Sequence, residues 1–222
     1  MTDHDPGKDP TPGDERLRAA AEAWDERYAA SPQLFREAPD ETLVEIASAL
    51  PPGRALDLGA GEGRNALWLA AAGWSVTAVD ASAVALERAA SRARAEGVEI
   101  ETVRADLRTY LETVAAERPQ GAFDLVVVAF VHPGPQERAE LLRAAAGVVS
   151  PGGRLFVVGH HVESHGKVGP PDRANLYAEE DVHGEDLDGL EICRLERRAG
   201  KSDVADPGVD LVLLARRALA SS

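Results

Sequence analysis

The chain has 222 residues, of which 44% are hydrophobic, enough for one α/β domain with a sizeable core. Thirty-eight acidic residues against 24 basic ones set the formal net charge at -14, a field that repels nucleic acid and anionic membrane surfaces. The single cysteine, Cys193, excludes an internal disulfide and any cysteine-held metal or iron–sulfur centre, in keeping with a reducing cytoplasm.

Residues 1–15, rich in Pro, Gly and Asp and lacking the regions of a secretory signal, are expected to form a disordered tail before a single domain over 16–222. No run approaches membrane-spanning length, so a soluble, cytoplasmic protein is expected. "DERLRAAAEAWDERYAAS" places Leu17, Ala20, Trp24 and Tyr28 on one helical face, and "DETLVEIASALPPG" gives a second helix that stops before Pro51 and Pro52. Strands and helices then alternate. "RALDLGA" is a strand, followed by a helix over 63–72 that Gly73 closes. "SVTAVD" is a strand, and Ser82 caps a helix ended by Gly97. "VEIETVRAD" is a strand before a helix over 107–118, and "FDLVVVAF" one before a helix over 135–148. "RLFVVGH" follows the turn "SPGG". Such alternation predicts right-handed crossovers and a mostly parallel, doubly wound sheet covered on both faces. Beyond it come a Gly-, Pro- and His-containing loop over 159–173, a weak helix near 177–187, and the strands "LEICRLERRAG" and "VDLVLLARR". Two closing strands without a helix between them predict a hairpin, hence an antiparallel member.

The apolar first strand ends in Gly59, Gly61 and Gly63 and runs straight into a helix, a strand-turn-helix unit of the kind that grips nucleotide-bearing cofactors. The strict dinucleotide frame from Gly59 fails, because its sixth position is Arg64; a shifted frame, Gly61, Gly63 and Ala66, matches but starts beyond the strand end. The Gly-Lys-Ser/Thr of a triphosphate turn is absent. Asp57 near the strand end would oppose a pyrophosphate but suits a cofactor bearing an ammonium and a sulfonium, which favours S-adenosylmethionine. Gly59, Ala60, Gly61 and Gly63 would let the backbone approach its methionine portion, with N–H groups around Arg64 and Asn65 for its carboxylate. Asp80, followed by Ala81 and Ser82, ends the second strand where a ribose needs an acceptor, and Asp106 with Leu107 offers a polar edge and an apolar plane for adenine. Asp106 reads equally as the N-cap of the helix after it.

These residues resemble the class I S-adenosylmethionine-dependent methyltransferase superfamily over about residues 20–217, through "LDLGAGEGRNA", "VTAVDAS", "RADL", "FDLVVVAF" and "SPGGRLFVVGH". "WDERY", "GEGRNALWLAAAGW" and "GPPDRANLYAEED" look like its small bacterial tellurite-resistance and thiopurine-type branch. The resemblance implies a Rossmann-like seven-stranded sheet of order 3-2-1-4-5-7-6 with strand 7 antiparallel, S-adenosylmethionine as cofactor, and N-terminal helices over 16–50 that cover the site. It places Ala129 beside the cofactor and makes Trp24 and Tyr28 candidates to cover it, although their helical spacing also suits core anchors.

Four of the six histidines, His160, His161, His165 and His183, fall between 160 and 183, and the pair His161/His165 has a zinc-ligand spacing on a helix. Gly159, Gly166, Gly169, Pro170 and Pro171 make this segment a loop instead, so no metal is expected. His132 and His160, just past the fourth and fifth strands, border the expected acceptor site and are the candidate bases. No Asn/Asp-Pro-Pro-aromatic clamp follows the fourth strand, and Ala129 and Phe130 stand where catechol-type enzymes carry magnesium-holding acids. The expected reaction is methyl transfer to a small molecule, with a thiol or chalcogen nucleophile first and an O- or N-acceptor on an aromatic metabolite second. An NAD(P) oxidoreductase using the shifted frame and a noncatalytic cofactor-binding protein remain alternatives. Neither nucleic acid nor membrane is an expected partner, and the chain is expected to be a monomer or homodimer.

Overall fold

The computed structural model describes residues 10–119, 121–182, 187, 189–200 and 207–219. Helix α1 (Pro12–Ala29) opens ahead of residue 16 because Thr11 and Asp14 form a capping box and Pro12 stands in the first turn, where its missing N–H costs nothing. Residues 11–15, expected in the tail, thus belong to the helix and its cap, and residues 1–9 lie outside the described residues. Helix α2 (Glu41–Ser48) is capped by Asp40, whose Oδ1 accepts from the amides of Thr42 and Leu43.

The strands and helices then alternate as β1 (Arg54–Leu58), α3 (Arg64–Ala71), β2 (Ser75–Asp80), α4 (Ala83–Glu96), β3 (Glu101–Arg104), α5 (Leu107–Glu117), β4 (Phe123–Ala129), α6 (Pro135–Gly147) and β5 (Val149–His160). The chain closes with β6 (Glu191–Ala199) and β7 (Val209–Arg216). The seven strands lie in the order β3-β2-β1-β4-β5-β7-β6, with β7 antiparallel to both neighbours, as the closing hairpin predicts. Near residues 177–187 the expected helix reduces to a 3-10 turn over Glu179–Asp181, while Tyr177 runs extended beside His161 in a parallel bridge. Residues 183–186 and 188 lie outside the described residues.

Alternation along each central strand divides the core between the two faces of the sheet. Leu56, Leu58, Val126, Val128, Leu155 and Val157 pack with Leu111 of α5 and Leu142 of α6, whereas Ala55, Leu125, Val127, Phe156 and Val158 pack with Leu43 of α2 and Leu69 of α3. Each such Leu or Val contributes about 1.5–3 kcal/mol on burial. With both faces covered, the sheet's carboxyl edge is the place left for ligand chemistry.

Candidate active site

After β1 the chain turns across the end of β2, and the amides of Gly59 and Ala60 both donate to the Val79 carbonyl, at 2.8 and 3.1 Å. Gly59 and Gly61 sit at φ of 69° and 55°, which L side chains rarely adopt. A Cβ on Gly59 would lie 2.5 Å from Val131 Cγ2, and one on Gly61 would lie 2.6 Å from the Tyr28 hydroxyl. Only glycine backbone lets the segment after β4 and helix α1 close over this turn. Gly63 and Ala60 complete it through the Gly63 N–H donated to the Ala60 carbonyl at 2.9 Å.

Two carboxylates frame the turn. Asp80 accepts from the Gly61 amide at Oδ2 and from the Ser82 amide at Oδ1, both at 2.8 Å. Burial nevertheless raises its pKa against these bonds. Two of its roughly four lone-pair sites are thereby used, leaving acceptor capacity for a pair of hydroxyls. Asp57, 1% exposed, has its Oδ2 buried without a hydrogen-bond partner among the described residues. Burial pushes this carboxyl up to about 7, against the opposing influence of Arg64 and the Ala66 amide. A buried acceptor of this kind fits an ammonium, and with the glycine turn and Asp80 it satisfies the chemistry that S-adenosylmethionine presents.

The remaining cofactor candidates divide by what they hold. Ser82 caps α4, accepting from the Ala85 amide at 3.1 Å and donating to Asp25 Oδ1 at 2.5 Å, which docks α1 on the rim of the site. Docking brings Tyr28, 3% exposed, over Gly61, with the half-buried Trp24 ring 6.0 Å from Tyr28 and 6.4 Å from Phe35. The Asn65 side chain is spent within the fold, its Oδ1 accepting from the Asp40 amide at 2.9 Å. The Ala81 carbonyl accepts from Arg104 Nε at 3.1 Å. Asp106 is a helix cap: its Oδ1 accepts from the Thr109 amide at 3.0 Å and from Arg16 Nη2 at 2.9 Å. Partial burial would raise the Asp106 pKa, but these bonds to Arg16 and Thr109 hold it low. Leu107 packs half-buried against the core beside it, and Ala129 ends β4 half-buried below the turn.

Past the carboxyl ends of β4 and β5, four rings and an acid converge. His160 Nδ1 lies 2.9 Å from Oδ1 of Asp210, a buried residue paired with His160 in the β5–β7 register. With Nδ1–H donated to the carboxylate, Nε2 is the ring nitrogen left facing the site, with no partner among the described residues. The rings of His132 and Phe130 lie 5.2 and 4.9 Å from that of His160. Both nitrogens of His132 are engaged, Nδ1 with the Asn175 carbonyl at 3.0 Å and Nε2 with the His160 amide at 3.4 Å. Burial and the neighbouring His160 press the His132 pKa down to about 4, so it is neutral at pH 7. Buried Tyr177 packs edge-on to His132 and donates its hydroxyl to the Val131 carbonyl at 2.8 Å, and Arg138 lies 5.0 Å over its ring.

Asp210 and Tyr177 are residues that sequence reasoning passed over, and Phe130 is noted there only as standing in place of a metal-holding acid. Asp210 had a signal, as the one acid in the otherwise apolar start of "VDLVLLARR". The pair His161 and His165 is separated by chemistry: His161 Nε2 meets Glu179 at 3.0 Å, and His165 Nε2 lies 3.3 Å from the Pro171 carbonyl. His183 lies outside the described residues. Among the described residues no cluster of three His, Cys, Asp or Glu is disposed to hold a metal, and no helix is long and apolar enough to cross a membrane.

Residues 55–153 match the family model described as "Methyltransferase domain". Over 117 residues the chain is 35% identical to a demethylmenaquinone methyltransferase of Thermus thermophilus, covering 52% of this chain and 50% of that protein. It is 34% identical over 115 residues to a ubiquinone biosynthesis O-methyltransferase of Bordetella pertussis, covering 51% and 45%. The chain thus spans about half the length of the curated relatives it matches. Its fold is similar to that of a protein solved in connection with conversion of a disulfide bond into a thioacetal group during echinomycin biosynthesis, with TM-score 0.70, 21% identity, and 91% and 94% of the two chains covered. It is also similar to that of TehB from Haemophilus influenzae, with TM-score 0.63, 21% identity and coverage of 80% and 62%.

Proposed function

We propose that the chain is a class I S-adenosylmethionine-dependent methyltransferase, as the methyltransferase-domain match over residues 55–153 and the strand order support, and that it methylates a small molecule at a group that must lose a proton, a hydroxyl first and a thiol second. The observation that carries this reading is the pair His160–Asp210, 2.9 Å apart at the acceptor edge, beside a turn built for the cofactor. S-adenosylmethionine supplies, when bound, a methyl already activated on a positive sulfur. The residues therefore need to hold, align and dehydrate the two reactants and remove one proton.

The glycine turn and Asp57 would hold the methionine end, and Asp80 the ribose hydroxyls, with Tyr28 closing the turn from α1. His160 takes the acceptor's proton at Nε2, and Asp210 stabilises the resulting imidazolium through Nδ1–H. His132, neutral and doubly hydrogen-bonded, is a positioning residue that fixes the β5 end under His160. A chalcogen or thiol acceptor draws support only from the missing metal-holding acids, whereas the hydroxyl draws on the base the site contains. The fold likeness to TehB bears on architecture and not on the acceptor. Release of S-adenosylhomocysteine with matched phenol and thiol acceptors tests the reading; phenol is expected to lead in kcat/KM. Release with neither, across a panel of both, overturns it.

A pH dependence follows from Asp57. With its pKa raised to about 7, the carboxyl is largely protonated in the cofactor-free protein below that pH, and a cationic partner requires it ionised. Affinity for S-adenosylmethionine is expected to rise as pH climbs from 6 to 8, with a proton released on binding at the lower pH. Calorimetry in buffers of different ionisation heat reads that proton. Equal proton release by the parent and by Asp57→Asn would discard the assignment.

A further inference from the structure

Beside the acceptor rings lies a cavity whose lining includes Asp40, Arg64, Phe130, Arg198 and Asp210. Arg36 and Glu41 also line it, and two of its acids, Asp40 and Asp210, are committed to partners. Asp40 Oδ2 accepts from Arg198 Nη2 at 2.5 Å while Oδ1 caps α2, and Asp210 Oδ1 holds His160 at 2.9 Å. The Arg64 guanidinium is not matched in this way. Its carbon stands 5.0 Å over the Phe130 ring, and among the described residues it has no hydrogen bond and no carboxylate within ion-pair distance. Burial lowers the Arg64 pKa against the longer-range fields of Asp40, Asp57 and Asp210; the guanidinium stays charged, and its N–H groups are left without a direct acceptor among the described residues. Arg198 adds an Nε–H buried without an acceptor.

Phe130 shapes the same space. It is the only described non-glycine residue with positive φ, at 59°, a strain that persists only where the surroundings enforce it. The strained backbone sets one ring against both the Arg64 guanidinium and the His160 imidazole, so a cation and a base share one flat wall.

Resting on the methyltransferase reading above, we propose that this cavity selects aromatic acids, with the acceptor's carboxylate on Arg64, its ring along Phe130 and the group to be methylated toward His160. A guanidinium fork matches a carboxylate with two parallel hydrogen bonds, which an amide or ester cannot reproduce. The chain's overall charge of -14 does not prevent this, since screening confines its field to about 8 Å and the cavity supplies the local cation.

Benzoate and benzamide, equal in shape and different in charge, are the probes, titrated by calorimetry with and without S-adenosylhomocysteine. Benzoate is expected to bind at least tenfold tighter; Arg64→Gln removes that preference, and Arg18→Gln on the exposed side of α1 keeps it. Equal affinities, no benzoate binding, or a preference that survives Arg64→Gln overturns the proposal. Loss of S-adenosylhomocysteine affinity in Arg64→Gln with the benzoate preference intact assigns the guanidinium to the cofactor and overturns it too. Failure of the parent protein to bind S-adenosylhomocysteine would instead count against the methyltransferase reading, because the benzoate arm is read without cofactor as well.

Discussion

Replacing His160 by glutamine lowers turnover of a hydroxyl acceptor by about 10²-fold or more, the scale of a lost general base, while affinity for S-adenosylhomocysteine stays within about twofold. Glutamine can still reach Asp210, which lies 2.9 Å from Nδ1, but it offers no basic nitrogen. The acceptor must then give its proton to water in a site arranged to exclude water. In His160→Gly, added imidazole should restore part of the rate, a response that a purely structural role would not produce. Asp210→Asn should also lower kcat more than it raises KM, because the amide can present a donor to Nδ1 and favour the wrong tautomer. Full turnover of a phenol by His160→Gln would remove the residue from the chemistry and return the question to how the acceptor ionises.

The second large effect is expected at Asp80, where two kinds of loss coincide. Its carboxylate holds the amides of Gly61 and Ser82, both at 2.8 Å, in a buried setting, and alanine would orphan both donors. At about 1–3 kcal/mol for each unsatisfied buried group, the cofactor-free protein should lose about 2–4 kcal/mol of stability, since some relaxation is available. In a chain of this size that is a fall in Tm of about 4–16 °C. Affinity for S-adenosylmethionine should fall at least about tenfold, from the loss of charge-assisted bonds to the ribose and from slackening of the turn itself. Asp80→Asn separates the two, because its side-chain oxygen can keep one amide while the charge is gone. Thermal melts and calorimetry on both variants decide: an alanine variant that melts and binds like the parent would mean that Asp80 neither holds the turn nor meets the cofactor.

The architecture was legible because local patterns report it. Apolar runs, the caps Ser82 and Gly97 and the turn glycines mark every element from β1 to β5, and their alternation dictates a parallel sheet. The stretch 177–187 reads as a weak helix in sequence, but its described part, 177–182 and 187, holds only a 3-10 turn over Glu179–Asp181 because other contacts set it: Tyr177 is extended against His161, and Asp181 pairs with Arg138 at 2.8 Å. At the glycine turn the geometry was equally legible, since Asp57, the glycines and Asp80 lie at strand ends where placement follows from order along the chain. Asn65 and Asp106 show the limit of that reasoning. Both stand where a ligand would, yet their side chains serve Asp40 and Arg16, partners from α2 and α1 that no spacing rule connects to them. The acceptor side was the least legible part. The partnership of His160 and Asp210 spans 50 positions and exists only through strand register, and the left-handed backbone of Phe130 follows from the sheet around it rather than from a turn motif.

That register also orders events in time. Synthesis runs from β1 towards β7, so the strands that build the glycine turn leave the ribosome long before Val209–Arg216, and β7 must then pair with the edge of β5 to bring Asp210 against His160. Until it does, His160 lacks its Asp210 partner, and a chain without β7 carries the glycine turn but not the proposed destination for the acceptor's proton. The last strand of the sheet therefore acts as a completion check: on the proposed mechanism, competence for proton-coupled methylation arrives only when β7 has been made and docked.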